Sequence, residues 1–232
     1  MVTRKPRIAV PRLREQLEPA SPSAEDIDDE ARLLDLALDD VDLSDLVAEH
    51  VELSGCRLTR CNLGGSDLDK LILVDTELAQ CDLANARWSD AAVTRLAVSS
   101  SRLTGFAAPG TSLQHATIRD SVLDFASFRF AKFVKVEFSD CRLQNADFVS
   151  ADLSGTVFRG CDLTAAEFSQ VKATGATFVD CTWEGTRGIG SLAGATIANA
   201  SPIDMLAVTN ALASALQIKL AHPDDLDVEE QA

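Results

Sequence analysis

The sequence predicts an all-β solenoid closed at its C-terminal end by a helix, and three observations carry that prediction. Every fifth residue from Leu43 to Trp183 is apolar without a slip, 29 consecutive positions of which 21 are Leu or Phe. The position two before each of these centres is also uncharged and usually small, as at Val41, Cys56, Cys61, Ala86, Ala126, Ala146, Ala151 and Cys161. None of these 58 positions is Asp, Glu, Lys or Arg, although charged residues make up 25% of the chain. Residues twenty apart also match in kind: Leu43, Leu63, Leu83, Leu103, Leu123, Leu143 and Leu163 form one series that ends in Trp183. A period of five fits neither the helical 3.6 nor the strand alternation of two, so it requires a repeat architecture.

The blocks read A/C-D/N-L/F-x-x, as in Cys81-Asp82-Leu83-Ala84-Asn85, Ala146-Asp147-Phe148-Val149-Ser150 and Ala151-Asp152-Leu153-Ser154-Gly155. This pattern resembles the pentapeptide repeat family over residues 41–185, with Ala31, Leu33, Leu36 and Leu38 already in phase. The resemblance implies a right-handed, four-sided parallel β-helix with four blocks per coil, the centre and the residue two before it pointing inward. Residues twenty apart then stack, which the leucine series bears on directly, as do Phe128, Phe148, Phe168 and Phe138, Phe158, Phe178. Where Trp88 enters the shaft, its coil-mates Val93 and Val98 are small, as close packing at constant cross-section requires. Coils at strand spacing give a rod of roughly 36 Å for about 7.5 coils.

The elements follow in chain order. Residues 1–30, with Pro6, Pro11, Pro19 and Pro22, hold too few apolar side chains for a core and are expected to be a poorly ordered extension. Residues 31–190 form the β-helix. Its open end would expose unpaired backbone, and residues 191–220 supply a cover. Ser201 is an N-cap, Pro202 takes the first helical position, and Asp204 is the acid of the first turn. Leu206, Leu212 and Leu216 give that helix an apolar face, expected to cap the last coil or to pair with a second copy as a homodimer, as C-terminal helices do in related pentapeptide proteins. Residues 221–232 read as an acidic, solvated tail.

The net charge of −15 is unevenly spread. Residues 1–20 sum to +3, 21–40 to −7, 41–90 to −6, 91–160 to +2, 161–190 to −2 and 191–232 to −5. The acid therefore lies at the ends and in the first coils. Six cysteines at spacings that form no disulfide framework, no apolar leader in Met1 to Pro19 and no bilayer-length apolar run point to a cytoplasmic protein without membrane association.

Chemistry finds no foothold in the sequence. Cys61, Cys81, Cys141, Cys161 and Cys181 share one series with Ser101 and Ser121, and parallel side chains in a filled shaft do not converge as a metal needs. His50, His115 and His222 are scattered, with no adjacent nucleophile. Gly64-Gly65 and Gly188 to Gly190 match turns, not a phosphate loop. No catalytic, metal or cofactor site is expected, and no direct nucleic-acid contact. What remains is binding to another protein, and the residues that suggest it are Val122, Phe125, Phe130 and Val134, bulky apolar side chains at outward positions near Ala92, Ala97 and Ala107. The resemblance implies a second role, that of a DNA-mimicking protector or inhibitor of gyrase, a type II topoisomerase. Against it, the outward series Asp42, Asn62, Asp82, Arg102, Val122, Arg142, Asp162 loses its negative charge midway, whereas a duplex mimic needs sustained negative potential.

Overall fold

In the computed structural model, which describes residues 7–218, the chain winds as a parallel β-solenoid of about nine turns followed by one helix. Strands Ile72–Ala79, Ala92–Ser99, Ser112–Arg119 and Lys132–Ser139 stack with a constant offset of twenty, placing Leu73, Val93, Leu113 and Phe133 in one column. Four blocks per coil make four walls. Their centre columns contain Leu83, Leu103 and Leu123 (first wall), Trp88, Ala108 and Phe128 (second), Val93, Leu113 and Phe133 (third), and Val98, Ile118 and Phe138 (fourth).

All 29 centres are buried, the most accessible being Leu53 at 7%, and so are all their partners two residues before. The absence of charge at those positions is thus the sequence trace of a closed apolar shaft, in which an unpaired charge would be far more costly than anywhere on the walls. In the C-terminal half the fill is aromatic. Phe138, Phe158 and Phe178 stack at 5.0 and 4.8 Å with rings 4° and 5° from parallel, and Phe148 lies 5.1 Å from Phe168 at 1°. Identical coils impose this parallel stacking, and the neighbouring columns meet it edge-on, as Phe158 meets Phe168 at 88°.

The corners lie two residues after each centre, where the backbone turns through the left-handed region: Asp75, Arg95, His115, Phe125 and Phe130 have φ of 50, 57, 57, 58 and 61°. Where the residue before the centre is Asp or Asn, it can serve the adjoining turn. Asp82 Oδ1 accepts the Ala84 amide at 2.9 Å, Asp147 that of Val149 at 2.9 Å, and Asp162 that of Thr164 at 3.0 Å. This amide belongs to no inter-coil backbone ladder, so a side chain or water satisfies it, or a proline removes it.

Both ends differ from the sequence expectation. At the start, residues 7–30 are not a loose extension. Glu18–Ala20 pairs in parallel with Leu36–Asp39, Ser23 and Asp26 close a capping box, and Ile27, 6% exposed, covers the first coil. Backbone pairing rather than an apolar core holds this segment. At the other end the period slips by one: Phe178 pairs with Ile197, nineteen residues on, not twenty. The position that should carry a centre is Gly188, at φ 71°, where a Cβ would stand 2.2 Å from the Ser169 nitrogen. Ile189 fills the shaft instead, at 3% exposure.

The helix α1 spans Pro202–Ala215. Ser201 Oγ caps it by accepting the Asp204 amide, and Asp204 Oδ1 accepts the Trp183 amide at 2.7 Å, which closes the last coil. The side of α1 turned to the rod is not the leucine face. Val208 and Ala213 are buried, whereas Leu206 and Leu216 are 61% and 69% exposed and Leu212 is 40% exposed. Near the end of α1 the approach is close: a Cβ on Gly190 would lie 2.8 Å from Ala215 Cβ. The acidic tail expected at 221–232 lies outside the described residues.

Candidate protein-binding wall

All six cysteines are free and buried in the shaft. Each column cysteine donates its thiol to the carbonyl two residues before it and to one in the preceding coil, Cys61 to Thr59 and Leu38 and Cys141 to Ser139 and Ile118, at 3.3–3.5 Å. Ser101 and Ser121 bond the equivalent carbonyls of Ser99 and Arg119 at 2.8 and 2.7 Å, so serine substitutes within the same pattern. Burial pushes the Cys56 thiol up, and hydrogen bonding to Cys161 followed by burial pushes Cys181 up, whereas hydrogen bonding to Cys81 lowers Cys61 and hydrogen bonding to Cys161 lowers Cys141. Among the described residues no three His, Cys, Asp or Glu side chains are grouped to hold a metal.

Outside, charge is laid out in rungs. Arginines meet acids one coil away: Arg32–Glu52 at 2.8 Å, Arg57–Glu77 at 2.8 Å, Arg102–Asp82 at 3.1 Å and Arg187–Glu167 at 2.8 Å. Arg142 reaches Asp124 at 2.6 Å. Such exposed pairs contribute little to stability. They do cancel the field along the walls, so much of the negative charge is locally neutralised.

The four residues singled out from sequence do not form one patch. Val122 sits on the first wall between Arg102 and Arg142, and Val134 on the third, opposite side, beside Gln114. Phe125 and Phe130 stand at the two edges of the second wall in a single coil, 63% and 62% exposed. Neither ring folds back over the neighbouring coils, a placement that would cover it. Between them the outward residues are Ser127 and Arg129, and in the preceding coil Ala107 and Pro109, so Arg129 is the one charge among these four. Gly105 and Gly110 occupy the matching corners of that coil, which leaves both rings without a flanking side chain there. Arg129 lies with its guanidinium carbon 5.8 Å from the Phe130 ring centre and pairs with Asp147 at 2.8 Å. The second wall thus presents two aromatic posts around a floor of Ala107, Pro109 and Ser127, with the Arg129–Asp147 pair as its charged element. Sequence reasoning missed Pro109; its signal is a proline directly after a block centre, a position whose amide the backbone ladder between coils does not use.

Three comparisons bear on what kind of chain this is. The sequence model described as "Pentapeptide repeats" matches with eight copies over residues 38–73, 110–145 and 141–180. Among solved structures, the chain is similar to full-length QnrB1, a plasmid-mediated fluoroquinolone resistance protein, at 20% identity over 88% of this chain and 99% of that one, with a TM-score of 0.43. It is similar to HetL of the cyanobacterium Nostoc sp. strain PCC 7120, involved in heterocyst differentiation regulation, at 16% identity over 68% and 89%, TM-score 0.26. Rfr23 of the cyanobacterium Cyanothece 51142 is similar at 14% identity over 61% and 86%, TM-score 0.27. No curated protein matches the chain.

Proposed function

This chain belongs to the pentapeptide repeat family, and from that premise we propose that it is a non-enzymatic cytoplasmic scaffold whose second wall binds another protein through Phe125 and Phe130. The observation that carries this reading is the pair of exposed phenylalanines, each in a left-handed corner conformation. That conformation costs a non-glycine residue about 1–2 kcal/mol, and no core packing offsets it at either site. Elsewhere the corners carry Gly, Asn, Asp and other polar or small residues. Large aromatic side chains held in water at a conformational cost fit an interface anchor. Val122 and Val134, on the flanking walls, would lie at the margin of such a contact.

The test is an affinity capture with the wild type and with Phe125→Asp combined with Phe130→Asp. The double variant is expected to keep its circular dichroism spectrum and lose its partner. An unchanged set of partners rejects the wall.

The second reading is protection or inhibition of gyrase by a DNA-mimicking homodimer. Supporting it are the net charge of −15 and the outward Leu206, Leu212 and Leu216 of α1, an unpartnered face suited to a second copy. The arginine rungs weigh against it, because they interrupt the negative potential a duplex mimic requires. Purified protein added to a gyrase supercoiling assay at low micromolar concentration separates the two: no effect there, with Phe-dependent capture of a different protein, favours the scaffold.

A further inference from the structure

Residues 7–14 run along the edge between the third and fourth walls as an extended strap. The Ala9 amide donates to His115 Nδ1 at 3.0 Å, the Arg12 amide to Asp75 Oδ1 at 2.8 Å, and the Arg14 guanidinium meets Asp35 Oδ2 at 3.0 Å. His115, Asp75 and Asp35 all belong to one corner column of the solenoid. Two coils separate His115 from Asp75, roughly 10 Å at inter-strand spacing, and the three extended residues from Ala9 to Arg12 span about the same length. The strap is therefore in register with the coils beneath it.

The first of these bonds has a protonation requirement. Nδ1 accepts the Ala9 amide only as a bare nitrogen, with the ring proton on Nε2; an imidazolium would turn an N–H toward an N–H. The surroundings oppose the charged ring. Arg95 and Lys135 lie one coil to either side in the same column, and Arg7 and Arg12 flank Ala9 on the strap. Asp75, two coils away, is engaged by Arg95 at 2.6 Å and by the Arg12 amide. Burial, then the Lys135 and Arg95 charges, hold His115 below the usual histidine range. Asp75 is lowered, chiefly by its hydrogen bond from Arg95, and stays ionised in mild acid.

We propose that His115 is a latch that holds residues 7–10 only while its ring is neutral, so that mild acid frees this part of the strap and bares the wall edge beneath it. The contacts of Arg12 and Arg14 persist, which makes the release partial and reversible. Only the segment nearest His115 swings away.

The experiment follows amide exchange of Ala9 and Arg12 in the full chain from pH 8 to 4.5, corrected for intrinsic rates, alongside the His115 ring signals. Ala9 protection is expected to fall at least tenfold as His115 titrates, while Arg12 protection holds. In His115→Gln, whose side-chain oxygen accepts but does not titrate, Ala9 protection becomes independent of pH. In Ala9→Pro, which lacks the donor, the His115 midpoint rises. Flat Ala9 protection through the His115 titration, or a midpoint unmoved by Ala9→Pro, overturns the latch.

Discussion

A block of five residues is governed by what each position must satisfy. The centre and the residue two before it fill the shaft, an Asp or Asn before the centre can bond the turn amide, and the corner takes a positive φ. Asn85 and Asn145, in the same corner column as Phe125, show the ordinary solution, since asparagine tolerates that conformation. Phe125→Asn is accordingly expected to raise stability, by about 1 kcal/mol, read as a higher urea midpoint at unchanged slope. A fall would mean that the ring contributes to folding, which would weaken its assignment to a partner. Residue choice at centres is legible from the sequence alone because burial excludes charge at every one of them. Outward residues such as Val122 and Val134 carry no such constraint. Their apolar character suggests a patch, yet which wall each faces depends on the block it belongs to, and these two fall on opposite sides.

At the level of single elements, the solenoid strands are recoverable from periodicity, whereas the two ends are not. The strap leaves no periodic signal, because its main-chain amides bond side chains on the rod and any residue but proline supplies an amide. The α1 helix was legible in its start, through Ser201, Pro202 and Asp204, but not in its orientation. A leucine face normally turns inward; here Val208 and Ala213 take the inner side. What ties α1 to the rod is the Asp204 carboxylate on the Trp183 amide. Removing it in Asp204→Ala leaves a buried donor unpaired and takes away the first-turn acid, a loss of about 1–3 kcal/mol. Amide exchange should quicken at Trp183 and along 202–215 and not in the central coils. Uniform loosening of the whole rod would contradict this local role.

For the molecule as a whole, the stacked coils behave as a one-dimensional array in which each turn rests on its neighbours, and pH acts on its outer carboxylates. At Asp162 burial raises the carboxyl, and hydrogen bonds from Thr164, Gln144 and Thr182 outweigh it, leaving about 2. Asp152 is lowered chiefly by Ser154; at Glu167 burial again opposes, and bonds from Ser169 and Arg187 prevail. Groups lowered on folding stabilise the rod above their unfolded range, and that contribution disappears as they protonate. Urea midpoints should therefore hold from pH 7 to about 5 and decline steadily from about 4 toward 2. A midpoint that is flat over the acid range would show these turn-capping carboxylates to be energetically silent. The partner lies beyond the reach of sequence for the same reason that the fold lies within it: the array constrains what faces inward and leaves its outer surface free to diverge.

The nineteen-residue final coil has a bearing on how such a rod can change length. A duplicated twenty-residue stretch from the interior, such as 141–160, joins onto itself at both seams with every corner and shaft side chain in phase. Copying the terminal turn would bring Gly188 and its displaced phase into the middle, where the next layer finds no matching ledge. Growth by tandem duplication is thus open within the barrel of the molecule and closed at its tip.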